Sequence, residues 1–133
     1  MRYLLDTNML SDVMRSPDGC VANRIREAGD AKVCTSIIVA AELRFGAARK
    51  KSPRLTALVD EVLSEIDILP LETPVDAAYA TVRCALETKG QPISGNDLLI
   101  AAHALALGYT LVTANMREFA RVDGLMCENW LLV

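Results

Sequence analysis

The sequence predicts an α/β domain built on a central parallel sheet of four to five strands flanked by helices. Three observations carry this. Short, largely apolar runs, "YLL", "KVCTS" and "YTLVT", recur along the chain, as expected of buried strands. Longer segments with helix-like start and stop signals separate them, opening at Ser-Pro or Thr-Pro and closing at glycine. Strands that alternate with helices in this way form parallel sheets through helical crossovers.

Taken in order, "RYLLD" is a strand that starts almost at residue 1 and stops at Asp6. Asn8 is placed to cap a helix running to about Arg15. Ser16-Pro17-Asp18 restarts the chain, and 18–29 reads as a second helix. "KVCTS" (32–36) is the next strand, and 37–49 is a helix with Glu42 inside it. Ser52 followed by Pro53 sets a cap with proline at the first helical position, opening a helix to about Glu65. "IDILPL" (66–71) alternates like a strand. Thr73-Pro74 repeats the cap-plus-proline signal for a helix to about Lys89, ended by Gly90. "NDLLIAAHALALG" is a helix closed by Gly108, "YTLVT" (109–113) a strand, and "LMCENWLLV" is expected to add an edge strand.

The 133 residues suit one domain, 1–133, with a real core, and 52% hydrophobic with 23% charged residues excludes disorder. The longest apolar runs break well before the roughly 18 residues a membrane span needs. Asp6 follows only three apolar residues, too soon for a signal peptide, so a cytoplasmic protein is expected. Cys20, Cys34, Cys84 and Cys127 are far apart and the chain has a single histidine, which argues against zinc and for reduced, mostly buried thiols. A net charge of −3 opposes generic polyanion binding. Locally, "RFGAARKKSPR" gathers Arg44, Arg49, Lys50, Lys51 and Arg54, which reads equally as a solvated helix end or as a basic patch.

Three acids sit against apolar sequence. Asp6 ends "YLL", Glu42 lies within "IIVAAELRFGAA", and Asp97 precedes "LLIAAHALAL". Each has a structural reading. Asp6 can be a turn residue, Glu42 can pair with Arg44 or a distant arginine, and Asp97, three after Ser94, can complete a capping box. Together they point elsewhere. Ligands of open parallel sheets bind beyond the carboxyl ends of the strands, at the switch in strand order, and Asp6 stands at such an end. If the helices carrying Glu42 and Asp97 start on that edge, three carboxylates converge, and their repulsion is relieved by a hard divalent cation such as Mg2+ or Mn2+. In "LVTANMREF", Thr113 and Asn115 follow a strand directly and reach the same edge, with a helix cap (Asn115 at N-cap, Glu118 at N3) as the alternative. His103, six residues after Asp97, lies well off that residue's face and reads as a core histidine.

"LLDTN", "AAELRFGA", "GNDLLIAAHAL" and "LVTANMREF", in that order and at this length, resemble the PIN-domain ribonucleases, and more closely the VapC toxins of toxin–antitoxin pairs. The resemblance covers nearly the whole chain. It implies a three-layer α/β/α domain and a metal-dependent endoribonuclease that hydrolyses RNA phosphodiesters, transfer RNA among the targets cut by some relatives. Asp6, Glu42 and Asp97 would bind Mg2+ or Mn2+, with Glu42 alternatively orienting the attacking water. Thr7 and Asn8 would support Asp6, and Thr113 would hydrogen-bond within the site. Where the family often carries a fourth acid, this chain has Asn115, with Glu118 the nearest carboxylate. Ala114 stands where many close relatives have asparagine. RNA would run along Arg44, Arg49, Lys50 and Lys51. The resemblance further implies a homodimer and an inhibitory antitoxin, for which Leu55, Leu58, Val59 and Val62 offer an apolar surface, with packing on the sheet as the alternative for those positions.

Other readings fit less well. A phosphatase of haloacid-dehalogenase type needs a second acid two residues after the first, where this chain has Asn8, and a phosphoacceptor receiver needs a lysine after the last strand, where "ANM" supplies none. A PIN-like partner without activity would not be expected to keep all three acids.

Overall fold

The computed structural model describes residues 2–131. Five strands form one all-parallel sheet in the order β3-β2-β1-β4-β5: β1 (Tyr3–Leu5), β2 (Val33–Ser36), β3 (Asp67–Leu69), β4 (Thr110–Val112) and β5 (Cys127–Glu128). The tail "LMCENWLLV" therefore does add an edge strand, shortened to two residues; its last two residues lie outside those described.

Parallel pairs need crossovers, and seven described helices supply them. Helices α1 (Thr7–Arg15) and α2 (Cys20–Ala28) join β1 to β2, and α3 (Ile37–Lys50) and α4 (Pro53–Ser64) join β2 to β3. Helices α5 (Val75–Thr88) and α6 (Gly95–Leu107) return from β3 to β4, and the short α7 (Met116–Phe119) leads to β5. Right-handed crossovers travelling outward from β1 set α1 to α4 on one face; the reversed return sets α5 and α6 on the other. The helix contacts follow this division, α1 packing on α2, α3 and α4, and α5 on α6, and α3 and α6 also touch each other. No helix among the described residues is long and apolar enough to cross a membrane.

The core lies between these layers. Leu4, Leu5, Cys34, Leu111 and Val112 of the strands are wholly buried, against Val39 of α3 and Ile100, Ala101 and Ala104 of α6. At roughly 1.5–3 kcal/mol for each large apolar side chain, this burial is the main term holding the helices on the sheet. Trp130 anchors the tail: its ring meets Tyr3 edge-on at 5.1 Å and its indole N–H donates to Glu128 at 2.9 Å.

Caps set the element boundaries, and the starts of several helices differ from expectation. Asp6, not Asn8, caps α1, because its Oδ1 accepts the Thr7 backbone N–H at 2.8 Å. Pro74 itself occupies the N-cap position of α5, which starts at Val75, so Thr73 is not the cap. The second helix starts at Cys20, behind Gly19, not at Asp18. Ser52 caps as expected, accepting the N–H of Leu55; α6 starts one residue before the expected Asn96, with Ser94 as its cap accepting the N–H of Asp97, as in the capping-box alternative. Gly108 ends α6 at φ 71°, a left-handed position where a side chain would be strained. All four cysteines are free thiols; Cys34 is buried, Cys20 and Cys127 half-buried, and Cys84 exposed, against the expectation of mostly buried thiols.

Candidate active site

The order of the sheet puts its switch point between β1 and β4, whose connections leave in opposite directions. Asp6 follows β1 and Thr113 follows β4, so the two side chains face each other across that crevice. Thr113 Oγ1 donates to Asp6 Oδ2 at 2.8 Å, and the Asp6 backbone N–H donates to the Val112 carbonyl at 2.9 Å. Asp6 is only 4% exposed, and Thr113 is fully buried. Both Asp6 oxygens are thus held, one by the helix cap and one by Thr113.

The other acids join the same network. Thr7 Oγ1 donates to Glu42 Oε1 at 2.6 Å, tying the first turn of α1 to the second turn of α3. Glu42 is therefore half-buried beside a donor, on a helix otherwise apolar on its inner faces. Asn8 Oδ1 accepts the Ala114 N–H at 3.0 Å, fixing the loop after β4 against α1. That contact uses the Ala114 backbone alone.

Asp97 sits in the first turn of α6, its N–H bound to Ser94 Oγ at 3.3 Å. Asn115 does not cap α7 with its side chain. Its carboxamide instead donates to Glu118 Oε2 at 3.0 Å and reaches Asp97 Oδ2 at 3.5 Å, while its backbone N–H donates to Thr113 Oγ1 at 3.0 Å. Thr113 and Asn115 therefore link Asp6 to Asp97 and Glu118. Asp6, Thr7, Asn8, Glu42, Asp97, Thr113, Asn115 and Glu118 all lie at one edge of the sheet.

The charges are frustrated there. Burial raises the Asp6 carboxyl above its ordinary value, the bonds from Thr113 and Thr7 oppose that rise, and the Glu42 charge adds to it. Asp97 is raised to about 6, first by burial and then by the charge of Asp6, with Glu118 pushing the same way and Ser94 opposing. The Asp97 carboxyl thus titrates near neutrality, as side chains at functional sites often do.

Among the described residues no three His, Cys, Asp or Glu side chains come together as a ready cage for an ion. The donors are nonetheless all hard oxygens with mutually repelling charge. Mg2+ is ordinarily held by one or two carboxylates, with waters and substrate phosphates completing its shell, so this donor set fits such a cation without a closed cage.

The expected basic residues lie along α3 and just beyond it. Arg44 is drawn to Asp60 of α4 at 2.7 Å, whereas Arg49, Lys50 and Lys51 have no carboxylate within ion-pair distance among the described residues. His103 is buried on α6, its Nδ1 2.9 Å from Ser36 Oγ, away from the carboxylates as expected. Asn115 is the residue whose role the sequence left ambiguous; the offset of three to Glu118 suggested a cap where the side chain bridges two acids instead.

Comparison with known proteins agrees with this fold. The PIN-domain family model matches residues 3–125. The chain belongs to the PIN-domain family. Within it, the VapC ribonucleases are the relatives it resembles along its whole length. It is 39% identical to Ribonuclease VapC2 of Rickettsia felis, over 98% of each chain. It is 32% identical to the tRNA(fMet)-specific endonuclease VapC of Shigella flexneri, again over 98% of each. The crystal structure of VapBC2 from Rickettsia felis, bound to a promoter DNA fragment, superposes on this PIN domain with a TM-score of 0.90 and 35% identity, covering 98% of this chain and 99% of that one. The DNA-bound VapBC of Salmonella typhimurium gives 0.89 at 31% identity, covering 98% of each.

Proposed function

We propose that this PIN domain is a VapC-type toxin ribonuclease, an endonuclease that hydrolyses RNA phosphodiesters with a divalent cation, Mg2+ or Mn2+, held by its acidic edge. One observation carries the reading: Asp6, Glu42, Asp97 and Glu118, from four separate segments, share one continuous hydrogen-bonded network at the switch point of the sheet. Structural acids are usually scattered over a surface or paired with cations; here none of the four accepts from an arginine or lysine among the described residues.

Asp6 and Asp97 would hold the cation, with Glu42 either joining them or orienting the attacking water, and Asn115 or Glu118 completing the set. When bound, such a cation would lower the pKa of a water and neutralise charge on the scissile phosphate. The protein's own part is positional. Thr113 and the Thr7 N–H fix the Asp6 carboxylate, Thr7 Oγ1 aims Glu42, and Asn8 holds the loop that carries Ala114 and Asn115. Burial of Asp6 keeps its charge in a region of low dielectric, where it acts strongly on a cation. The uncompensated cations Arg49, Lys50 and Lys51 would meet the RNA backbone, and Arg44 would do so after leaving Asp60.

An antitoxin of VapB type is the expected partner, as the pairing named in the VapBC relatives suggests. A groove of about 490 Å3 lies between α1, α2 and α4, lined by Leu10, Val13, Met14, Ile25, Leu58 and Val62 among others. Of the surface residues expected there, Leu58 and Val62 line it, Val59 is buried, and Leu55 packs against the core. The groove is the place we assign to an apolar antitoxin segment.

The test is purified wild type and Asp6→Asn incubated with total RNA in Mn2+, with and without EDTA. Discrete fragments from wild type alone, abolished by EDTA, support the reading. Equal behaviour of the two proteins would sink it.

A further inference from the structure

Phe45 is 65% exposed, the most exposed large hydrophobic among the described residues, and the active-site reading gives it no task. It lies on α3 three residues after Glu42, a spacing that places two side chains side by side on one helix face. Arg49, one turn further on, sets its guanidinium 5.7 Å from the centre of the Phe45 ring. Lys50, Lys51 and Arg54 follow, none with a carboxylate in ion-pair range among the described residues. A single exposed apolar residue needs no explanation by itself; its neighbours give this one meaning. Here the neighbours on one side are the acids, and on the other side uncompensated cations.

We propose that Phe45 and Arg49 form a stacking platform for a nucleobase of single-stranded RNA beside the scissile phosphate. The inference rests on the ribonuclease reading and adds to it a subsite for a base. Single-stranded nucleic acid is held by a cationic track that follows the backbone together with aromatic rings under the bases, and both features stand here one helical turn apart. The guanidinium extends the ring into a longer flat surface and carries charge toward a phosphate. A second copy of the chain is the competing occupant of an exposed ring. The sedimentation measurement below separates that occupant from RNA. RNA is favoured by charge: its phosphates complement Arg49, Lys50 and Lys51, which have no carboxylate in ion-pair range among the described residues. Arg49 lies over the ring, whereas Arg44, two residues after Glu42, is paired with Asp60.

The experiment uses the RNA fragment that carries the cut mapped with total RNA, made with the fluorescent base 2-aminopurine on either side of the cleaved bond. Wild type, Phe45→Ala, Phe45→Trp and Arg49→Gln are compared for KM and kcat in Mn2+. Fluorescence is read on the non-cutting Asp97→Asn protein, with and without Phe45→Ala. A stacked base predicts about a tenfold rise in KM for Phe45→Ala with kcat changed much less, retention of wild-type values by Phe45→Trp, and quenching that disappears with the ring. Unchanged KM and unchanged quenching in Phe45→Ala, with wild type still cutting, would overturn the platform alone. A KM effect that tracks a shift from dimer to monomer in sedimentation would overturn it in favour of self-association. Wild type that cuts no RNA would overturn the ribonuclease reading first, and the platform with it.

Discussion

Asn115 holds one amide between two carboxylates, Asp97 and Glu118, and so neutral nitrogen stands where a further charge would be repelled. Asn115→Asp replaces that donor by a third acid. The expected outcome is a protein that melts lower than wild type in EDTA but gains more from added Mn2+, read in paired thermal melts, because a cation removes a larger repulsion. Asp97 supplies a pH prediction. Its carboxyl, at about 6, lies above the value of an unfolded carboxyl, so the folded state binds the proton more tightly. Its contribution is therefore most favourable below about pH 4, declines as pH rises from about 4 to about 6, and is flat above. After allowance for partial exposure the loss is about 2 kcal/mol. Asp97→Asn should accordingly melt several degrees above wild type at pH 7.5 in EDTA, with the gap closing below pH 4 and cleavage abolished at every pH. Asp6, Glu42 and Asp97 stood out as candidates in the sequence because each borders or interrupts an apolar run of three residues or more, which Glu118 does not. What Asn115 does was not legible there, since an offset of three serves a cap and a bridge equally well.

The helices that carry Glu42 and Asp97 are held to each other by a bond outside the acidic network. His103 of α6 meets Ser36, whose Oγ also accepts the Ile38 N–H as the cap of α3. Burial lowers the His103 pKa, with a backbone contact at Pro70 opposing, so the ring is neutral at pH 7. Its contribution has the sign opposite to that of Asp97, present above the unfolded value and lost as pH falls below it. His103→Phe keeps the volume but removes the bond, and should cost about 2 kcal/mol in urea denaturation. Cleavage should fall mainly through kcat, since α3 and α6 lose their fixed relation while the basic end of α3 is untouched. Elements themselves were read well where a side chain announces them: Ser52-Pro53 and Gly108 mark the boundaries observed. Asn8 misled because asparagine caps as well as aspartate, and only the extended backbone of Asp6 (φ −79°, ψ 168°) decides which one takes the cap.

At the scale of the molecule, the groove between α1, α2 and α4 and the acidic edge are lined by different residues, so they should respond to mutation separately. Val62→Asp places a charge in the apolar groove, where Val62 is half-buried. Co-expressed with the VapB-type antitoxin proposed above, this variant should lose co-elution in gel filtration yet cut RNA as wild type does once purified. Asp6→Asn should behave in the opposite way, keeping the partner and losing cleavage.

By itself the sequence determined the alternation of strands and helices, the parallel sheet and the burial of His103, and it singled out Asp6, Glu42 and Asp97 as candidates. These follow from local patterning, since apolar runs, caps and proline act on residues near them in the chain. Only the tertiary structure decided the strand order β3-β2-β1-β4-β5, and with it that Asp6 and Thr113, 107 residues apart, share a hydrogen bond. It also decided that Asn115 bridges Asp97 to Glu118, that Arg44 goes to Asp60 while Arg49 stacks on Phe45, and that Leu58 and Val62 face a groove. Those outcomes depend on which distant segments the crossovers bring together. A residue's spacing from its own neighbours carries no information about that.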